Sequence, residues 1–243
     1  MIDAAKLPGT LRLASYNIRK CVGLDRKRDP SRVLGVVADL NADVVALQEA
    51  DRRLGKRPTS LPFDMITEQT NMRALRIGTN SVSLGWHGNA ILVQPSIAVT
   101  DVRPLELPGL EPRGAIWVEL CRGGTPFQVV ATHLGLSRRH RRQQLAMIAD
   151  HLRERSDAPA IILGDFNEWS ATKGLEALDN RYTVFAPGRS FHSARPVAAL
   201  DRIAYNDGFE LVSAGVYAQG DAPRASDHLP IWADMTLVNA IVR

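Results

Sequence analysis

Cysteine is scarce in this chain of 243 residues: Cys21 and Cys121 are the only two. They fall on separate expected elements without the paired spacing of a zinc site. That excludes a disulfide scaffold and a Cys-rich metal centre, and predicts reduced core or near-core thiols in a reducing compartment. Long apolar runs are missing as well. None approaches the roughly 18 residues of a membrane span, so no transmembrane segment is expected. Met1 to Thr10 lacks the basic start and apolar core of a secretion signal, which makes cytoplasmic the expected location. Aromatic residues make up 6% of the chain, and no run of them suggests a platform for stacking bases. There is no Lys/Arg-rich arm, and no protein partner is evident. Repeats, low-complexity tracts and linkers are also missing, so residues 1–243 are expected to form a single domain.

What is present suits one sizeable α/β or two-sheet core. Hydrophobic residues at 45% and charged residues at 23% are ordinary for a soluble globular protein. The formal charge of +4 allows a polyanionic partner without requiring one.

The most informative stretch is Ile161-Ile162-Leu163-Gly164-Asp165-Phe166-Asn167. It reads as a short buried strand whose end delivers polar side chains into a cleft. Asp165 and Asn167, two positions apart, point to the same side of an extended backbone. A carboxylate and a carboxamide so placed suit a hard metal ion, an attacking water and a phosphoryl oxygen. A strand running into an Asn turn is the plainer alternative.

Taken in order, Thr10–Ile18 reads as a strand ending in Tyr16-Asn17. Asp29-Pro30 caps a helix with Val33, Leu34, Val37 and Leu40 on its apolar face. Asp43–Gln48 reads as a second strand, running into Glu49. This β-α-β unit places Asn17 and Glu49 at one sheet edge. Leu61–Asn71 is expected to be a shorter helix. Short alternating segments follow at Arg73–Gly78, Asn89–Gln94, Ala98–Arg103, Ala115–Leu120 and Phe127–His133, with a hairpin signal at Gly123-Gly124. Arg138–Glu154 reads as a helix, as does Ala171–Leu178. Leu200–Tyr205, Glu210–Tyr217 and Leu229–Leu237 close the chain as strands. Many strands with helices at intervals point to two packed sheets flanked by helices.

One set of polar residues recurs at expected strand ends: Asn17, Glu49, His133, Asp165, Asn167, Asp201, Asp227 and His228. Each alone has a structural explanation, as a turn, a solvated strand end, a core histidine or a cap. Eight together are hard to explain that way. In Ser15-Tyr16-Asn17-Ile18, Gln48-Glu49, Thr132-His133-Leu134, Gly164-Asp165-Phe166-Asn167, Leu200-Asp201 and Ser226-Asp227-His228-Leu229-Pro230, the chain resembles the endonuclease/exonuclease/phosphatase superfamily of DNase I-like, metal-dependent phosphoesterases. The motifs follow the family's order across nearly the whole chain. Gly164-Asp165-Phe166-Asn167 and Ser226-Asp227-His228 are the specific ones.

The resemblance implies a four-layered α/β/β/α sandwich of two packed mixed sheets, with the site at their shared edge. It implies Mg²⁺ or Mn²⁺, one ion or two, held by Glu49 and Asp227 with Asn17 on metal or phosphate. It makes Asp201 the carboxylate that fixes the tautomer of His228. His133 would stabilise the transition state or help the leaving group, and Asp165 would hold or deprotonate the attacking water. Family members differ on whether Asp165 or His228 is the base. The partner of His133 is unassigned, with Glu111 one candidate. Arg202 departs from the aromatic residue often found after the Leu-Asp pair.

Two basic features bear on substrate. Arg113 suits bidentate binding of a substrate phosphate as well as it suits a loop. Arg138, Arg139, Arg141 and Arg142 open a helix beside the His133 strand end, where Arg138 and Arg142 would collect an anion near the cleft. The first expectation is therefore a nuclease-like phosphodiesterase acting on nucleic acid or another polyanion. A phospholipid or sphingolipid phosphodiesterase is second; Phe63 and Trp86 would be its apolar contacts with the membrane. A small-molecule phosphatase is third. A non-catalytic scaffold would have lost some of the eight residues, and all are present.

Overall fold

The computed structural model describes residues 6–52, 55–77, 80–155, 157–178 and 180–238. The strands in the first half are β1 (Leu11–Asn17), β2 (Val44–Gln48), β3 (Arg73–Ala74), β4 (Ala90–Val93), β5 (Ala98–Leu107) and β6 (Arg113–Arg122). Those that follow are β7 (Thr125–His133), β8 (Ala160–Asp165), β9 (Thr183–Phe185), β10 (Asp201–Tyr205), β11 (Phe209–Val216) and β12 (Ile231–Leu237). The helices are α1 (Pro30–Asp39), α2 (Phe63–Thr70), α3 (Arg138–Arg155) and the single turn α4 (Ala222–Ala225).

Two six-stranded mixed sheets result, in the orders β11-β12-β1-β2-β4-β3 and β5-β6-β7-β8-β10-β9. Only β1 with β2 and β7 with β8 pair in parallel; the other neighbours are antiparallel. The period-two alternation of β1 explains the layering. Leu11 and Leu13 face the second sheet, meeting the layer of Ile116, Val118 and Val129. Ala14 and Tyr16 face the other way, onto Val33, Leu34 and Val37 of α1. Across the second sheet, Leu145, Ile148 and Leu152 of α3 cover Trp117, Val130 and Ile162. The molecule is thus the expected α/β/β/α sandwich. Central strands buried on both faces read as continuous apolar runs for that reason.

Local chemistry fixes several element ends. Asp29 accepts a hydrogen bond from the Arg32 amide at 3.0 Å and Pro30 opens α1. Gly123 and Gly124, at φ +55° and +85°, turn β6 into β7.

Other elements differ from expectation. Ala171–Leu178 is a series of turns, not a helix. Gly174 sits at φ +88°, and Ser170 Oγ accepts from the Lys173 amide at 3.0 Å, a local bond that competes with helix. The segment expected at Arg73–Gly78 is a strand only over Arg73–Ala74, and Gly78 lies outside the described residues. β5 continues through Pro104 to Leu107; it is an edge strand, where a missing N–H is tolerated. β9 carried no readable alternation. Among the described residues no helix is long and apolar enough to cross a membrane.

Candidate active site

Neighbouring strands bring three site residues into one row. In register, His133 of β7 stands beside Asp165 of β8, and Asp165 stands opposite Asp201 of β10. Close approach of β7 and β8 here depends on Gly164, at φ +155°, where a Cβ would come within 1.8 Å of the Thr132 carbonyl oxygen. Phe166, fully buried in the α3-side core, anchors the chain just past the strand, and its amide donates to the Leu200 carbonyl at 2.9 Å. Asn167 then adopts φ +51°, which Asn tolerates better than most residues. Its amide donates to Asp165 Oδ1 at 2.9 Å and its Nδ2 to the Leu134 carbonyl at 2.8 Å.

Two carboxylates opposed across a ladder repel each other unless a cation intervenes. His228 lies between them. Its Nδ1 is 2.8 Å from Asp201 Oδ2, and its Nε2 is 3.7 Å from Asp165 Oδ2. His133 Nε2 approaches the same Asp165 oxygen at 3.4 Å, and Asn17 Nδ2 donates to it at 3.0 Å. Burial of His228 opposes its charge, but Asp201, then Asp165 and Asp227, outweigh it and push the pKa up to about 9. In the metal-free protein the neighbouring carboxylates thus favour the imidazolium form of His228. Asp201 is buried, also accepts from Ser190 Oγ, and keeps Oδ1 without a hydrogen-bond partner among the described residues.

Asn17, Glu49 and Asp227 gather on the first-sheet side. Asn17 ends β1 in register with Gln48, and Glu49 follows in the left-handed region at φ +55°. Ser226 Oγ donates to the Asn17 carbonyl at 2.6 Å, tying the Asp227-His228 segment to the β1 end. The turn after β1 supplies a cation to each carboxylate: Lys20 pairs with Glu49, and Arg19 Nε lies 3.3 Å from Asp227. Hard oxygen donors each neutralised by a monovalent cation are a set a divalent ion fits. Among the described residues, Asp165, Asp201 and His228 form a group of potential ligands with donor atoms within 4.8 Å of one another. Within it Asp201 takes His228 Nδ1, leaving Nε2 toward Asp165.

The basic residues divide. Arg113 opens β6 with its Nε 3.5 Å from Glu111. Glu111 itself accepts from the Leu136 amide at 3.1 Å, so its described bonds go there and to Arg113. Arg138 holds Glu168 through Nε at 2.9 Å and Nη2 at 2.8 Å, and buried Arg141 holds it at 2.6 Å. Arg142 lies 3.3 Å from Glu176. The cationic helix start is thus largely matched by carboxylates. Cys21 is buried and Cys121 partly so, both free; burial pushes the Cys21 thiol up to about 11.

Sequence reasoning missed Lys20, Arg19, Ser190 and the segment around Phe191. Phe191 packs its ring 5.0 Å from that of His228, and the Leu229 amide donates to the Ser190 carbonyl at 2.8 Å. That loop has no periodicity to betray it.

Residues 14–228 match the model of the Endonuclease/Exonuclease/phosphatase family. YbhP of Escherichia coli (strain K12), an uncharacterised protein, is 29% identical over 228 residues, covering 83% of this chain and 86% of its own. Among solved structures, an endonuclease/exonuclease/phosphatase from Bacteroides vulgatus superposes with a TM-score of 0.77 at 21% identity, covering 94% of this chain and 99% of its own. A mannosyl-6-phosphatase from Bacteroides thetaiotaomicron VPI-5482 gives 0.74 at 18% identity, covering 93% and 100%.

Proposed function

This chain belongs to the endonuclease/exonuclease/phosphatase family, and we propose that it hydrolyses a phosphodiester by in-line attack of water, assisted by Mg²⁺ or Mn²⁺. The observation that carries this reading is the Asp201–His228–Asp165–His133 row, closed by Asn17 at the shared edge of the sheets. A phosphodiester resists attack because it is anionic, so the site must offset charge and align a water. Bound by Glu49, Asp227 and Asn17, the ion would supply charge neutralisation at the phosphoryl group.

The chain's own residues divide the remaining work. His228, its ring held by Asp201 and its Nε2 turned toward Asp165, is placed to exchange a proton with a phosphoryl oxygen or the water. Asp165, at the centre of the row, is placed to orient the water and accept its proton. Asp201 keeps the His228 ring turned so that Nε2 faces the reacting group. His133 stands on the other side of Asp165, placed to help the leaving group. Asn17 and Asn167 orient oxygens without adding negative charge.

The substrate reading shifts with the arginines. A nuclease-like preference rested on Arg138 and Arg142, whose charges go largely to Glu168 and Glu176. A small anionic phosphodiester therefore moves ahead of a polynucleotide. A phospholipid surface is the second reading. Trp86 and Phe63 are partly buried in packing, but Leu136 and Trp169 stand 67% exposed within three residues of His133 and Asn167.

The test is a panel of DNA, RNA, phospholipid and small phosphate esters, assayed after EDTA treatment and again with Mg²⁺ or Mn²⁺ restored. Activity should vanish in chelator and return with metal on at least one ester. Full activity in EDTA would refute the metal-assisted mechanism, and none on any ester would refute the reading.

A further inference from the structure

A cavity of about 320 Å³ opens beside the catalytic edge, lined there by Lys20, Glu49 and His133 and elsewhere by Arg52, Arg57 and Arg113. We propose that this cavity binds a second phosphate group of the substrate, carried on the part of the molecule that does not react. The proposal rests on the phosphoesterase reading above and names the substrate class: a small phosphoester with a further phosphate.

Charge matching inside the cavity leads to this. Its three carboxylates are engaged. Glu49 pairs with Lys20, and Glu111 lies 3.5 Å from Arg113. Asp51 is buried and turns inward, its oxygens accepting from the Leu84 amide at 2.8 Å and the Gly85 amide at 3.3 Å. Among the described residues no carboxylate lies within ion-pair distance of Arg52 or Arg57.

Arg57 is nevertheless positioned. Its Nη1 lies 3.0 Å from His87 Nδ1. A guanidinium can only donate, so Nδ1 is the acceptor and the ring proton sits on Nε2, 3.1 Å from Glu106. The His87 ring thus fixes one arm of the fork, while buried Asp51 acts on Arg57 only from beyond ion-pair distance. The wall behind it is rigid: Trp86 packs so closely on Gly114 that a Cβ there would come within 2.5 Å of the indole. Trp86 Nε1 donates to the Leu105 carbonyl at 3.0 Å, and Asn89 Nδ2 to the Gly114 carbonyl at 2.9 Å.

Planar guanidinium forks without a direct carboxylate partner match phosphate oxygens in pairs. The volume lies at the low end of ligand pockets, which run from about 300 Å³ upward, and suits a small moiety but not a duplex. Nothing in the catalytic row needs Arg52 or Arg57, so their convergence on the same cavity is better explained by an anion beyond the scissile one.

Binding to the Mn²⁺-loaded protein, by calorimetry and by competition with bis(p-nitrophenyl) phosphate hydrolysis, tests this with α,ω-alkanediol bisphosphates against the monophosphates of the same diols. The best bisphosphate should bind about tenfold or more tightly than its monophosphate, the gain of one charge-assisted phosphate site. Arg57→Gln and Arg52→Gln should each shrink that ratio, and the pair should bring it near one. Arg139→Gln, a charge-matched change on α3, should leave it as it was. Arg52 is exposed and makes no side-chain hydrogen bond or ion pair among the described residues, so its variant is read even if Arg57→Gln misfolds. Equal binding of mono- and bisphosphate by the wild type would overturn the proposal, as would a ratio unmoved by both variants. Hydrolysis failing on every ester while the binding ratio stands would instead sink the phosphoesterase reading alone. A single-stranded oligonucleotide that competes better than every bisphosphate would replace the small substrate with nucleic acid and overturn the proposal.

Discussion

Two buried charge clusters lie three residues apart on the chain, one around Asp165 and one around Glu168, and they are built on opposite principles. Glu168 is saturated. Arg138 and Arg141 hold its oxygens, the Ser170 amide donates at 2.9 Å, and Arg202 reaches past to the Glu168 and Ser170 carbonyls. Burial would raise its pKa, but hydrogen bonds from Arg138 and Arg141 hold it down at about 2. Around Asp165 the matching is deliberately incomplete. Two imidazole nitrogens approach one oxygen without closing on it, at 3.4 and 3.7 Å, and Asp201 Oδ1 is left over. A closed cluster holds a loop in place; an open one can accept a substrate and a proton.

That contrast can be broken most visibly at the dyad. His228→Ala and Asp201→Asn should each lower kcat by about 10²–10⁴ with the protein still folded, the usual size of an acid–base contribution. Steady-state rates alongside thermal unfolding check it; a fall in Tm without a fall in kcat would put these residues in the structural class. Glu168→Gln should give the reverse. It leaves buried Arg141 without its counter-charge, so unfolding free energy should drop by about 3–5 kcal/mol while the folded fraction keeps most of its kcat.

The two clusters should also respond to pH in opposite directions. The raised pKa of His228 makes its charge stabilising throughout below pH 6.5, and that stabilisation is lost as pH rises through about 9. Glu168 stabilises above its ordinary pKa of 4.5 and loses that as pH falls through about 2. Denaturant melts of the metal-free protein across both windows should show the alkaline loss vanish in Asp201→Asn and the acid loss vanish in Glu168→Gln. An alkaline loss that survives Asp201→Asn would assign it to another group.

The smallest effect belongs to Arg142. It is exposed and faces Glu176, so Arg142→Gln should change stability by about 0–1 kcal/mol and KM by less than about twofold. A large rise in KM, steeply dependent on salt, would restore the expected anion-collecting role.

The sequence made the layers legible because burial leaves periodic traces. Alternation in β1, the Asp29-Pro30 start of α1 and the apolar face of α3 each record which side meets the core. The site was legible where polar residues interrupt apolar strands, as at His133, Asp165 and Asp201. Loops were not. Ser190 acts through a fold-made contact with Asp201, and Lys20 is defined by a neighbour distant in sequence. The arginines show the same limit from both sides. The consecutive group at 138–142 looked available and is largely spent on carboxylates, whereas Arg52, Arg57 and Arg113 look scattered and line one cavity. Ala171–Leu178 failed as a helix because Ser170 and Gly174 favour turns that its apolar spacing does not reveal.

The double variant Asp201→Asn/His228→Ala tests the central claim most directly, read as kcat on the best ester of the panel with saturating metal. If Asp201 works only by holding His228, the double variant loses little more than the worse single one. Losses that multiply across the two sites would show two independent contributions, and the dyad would not exist.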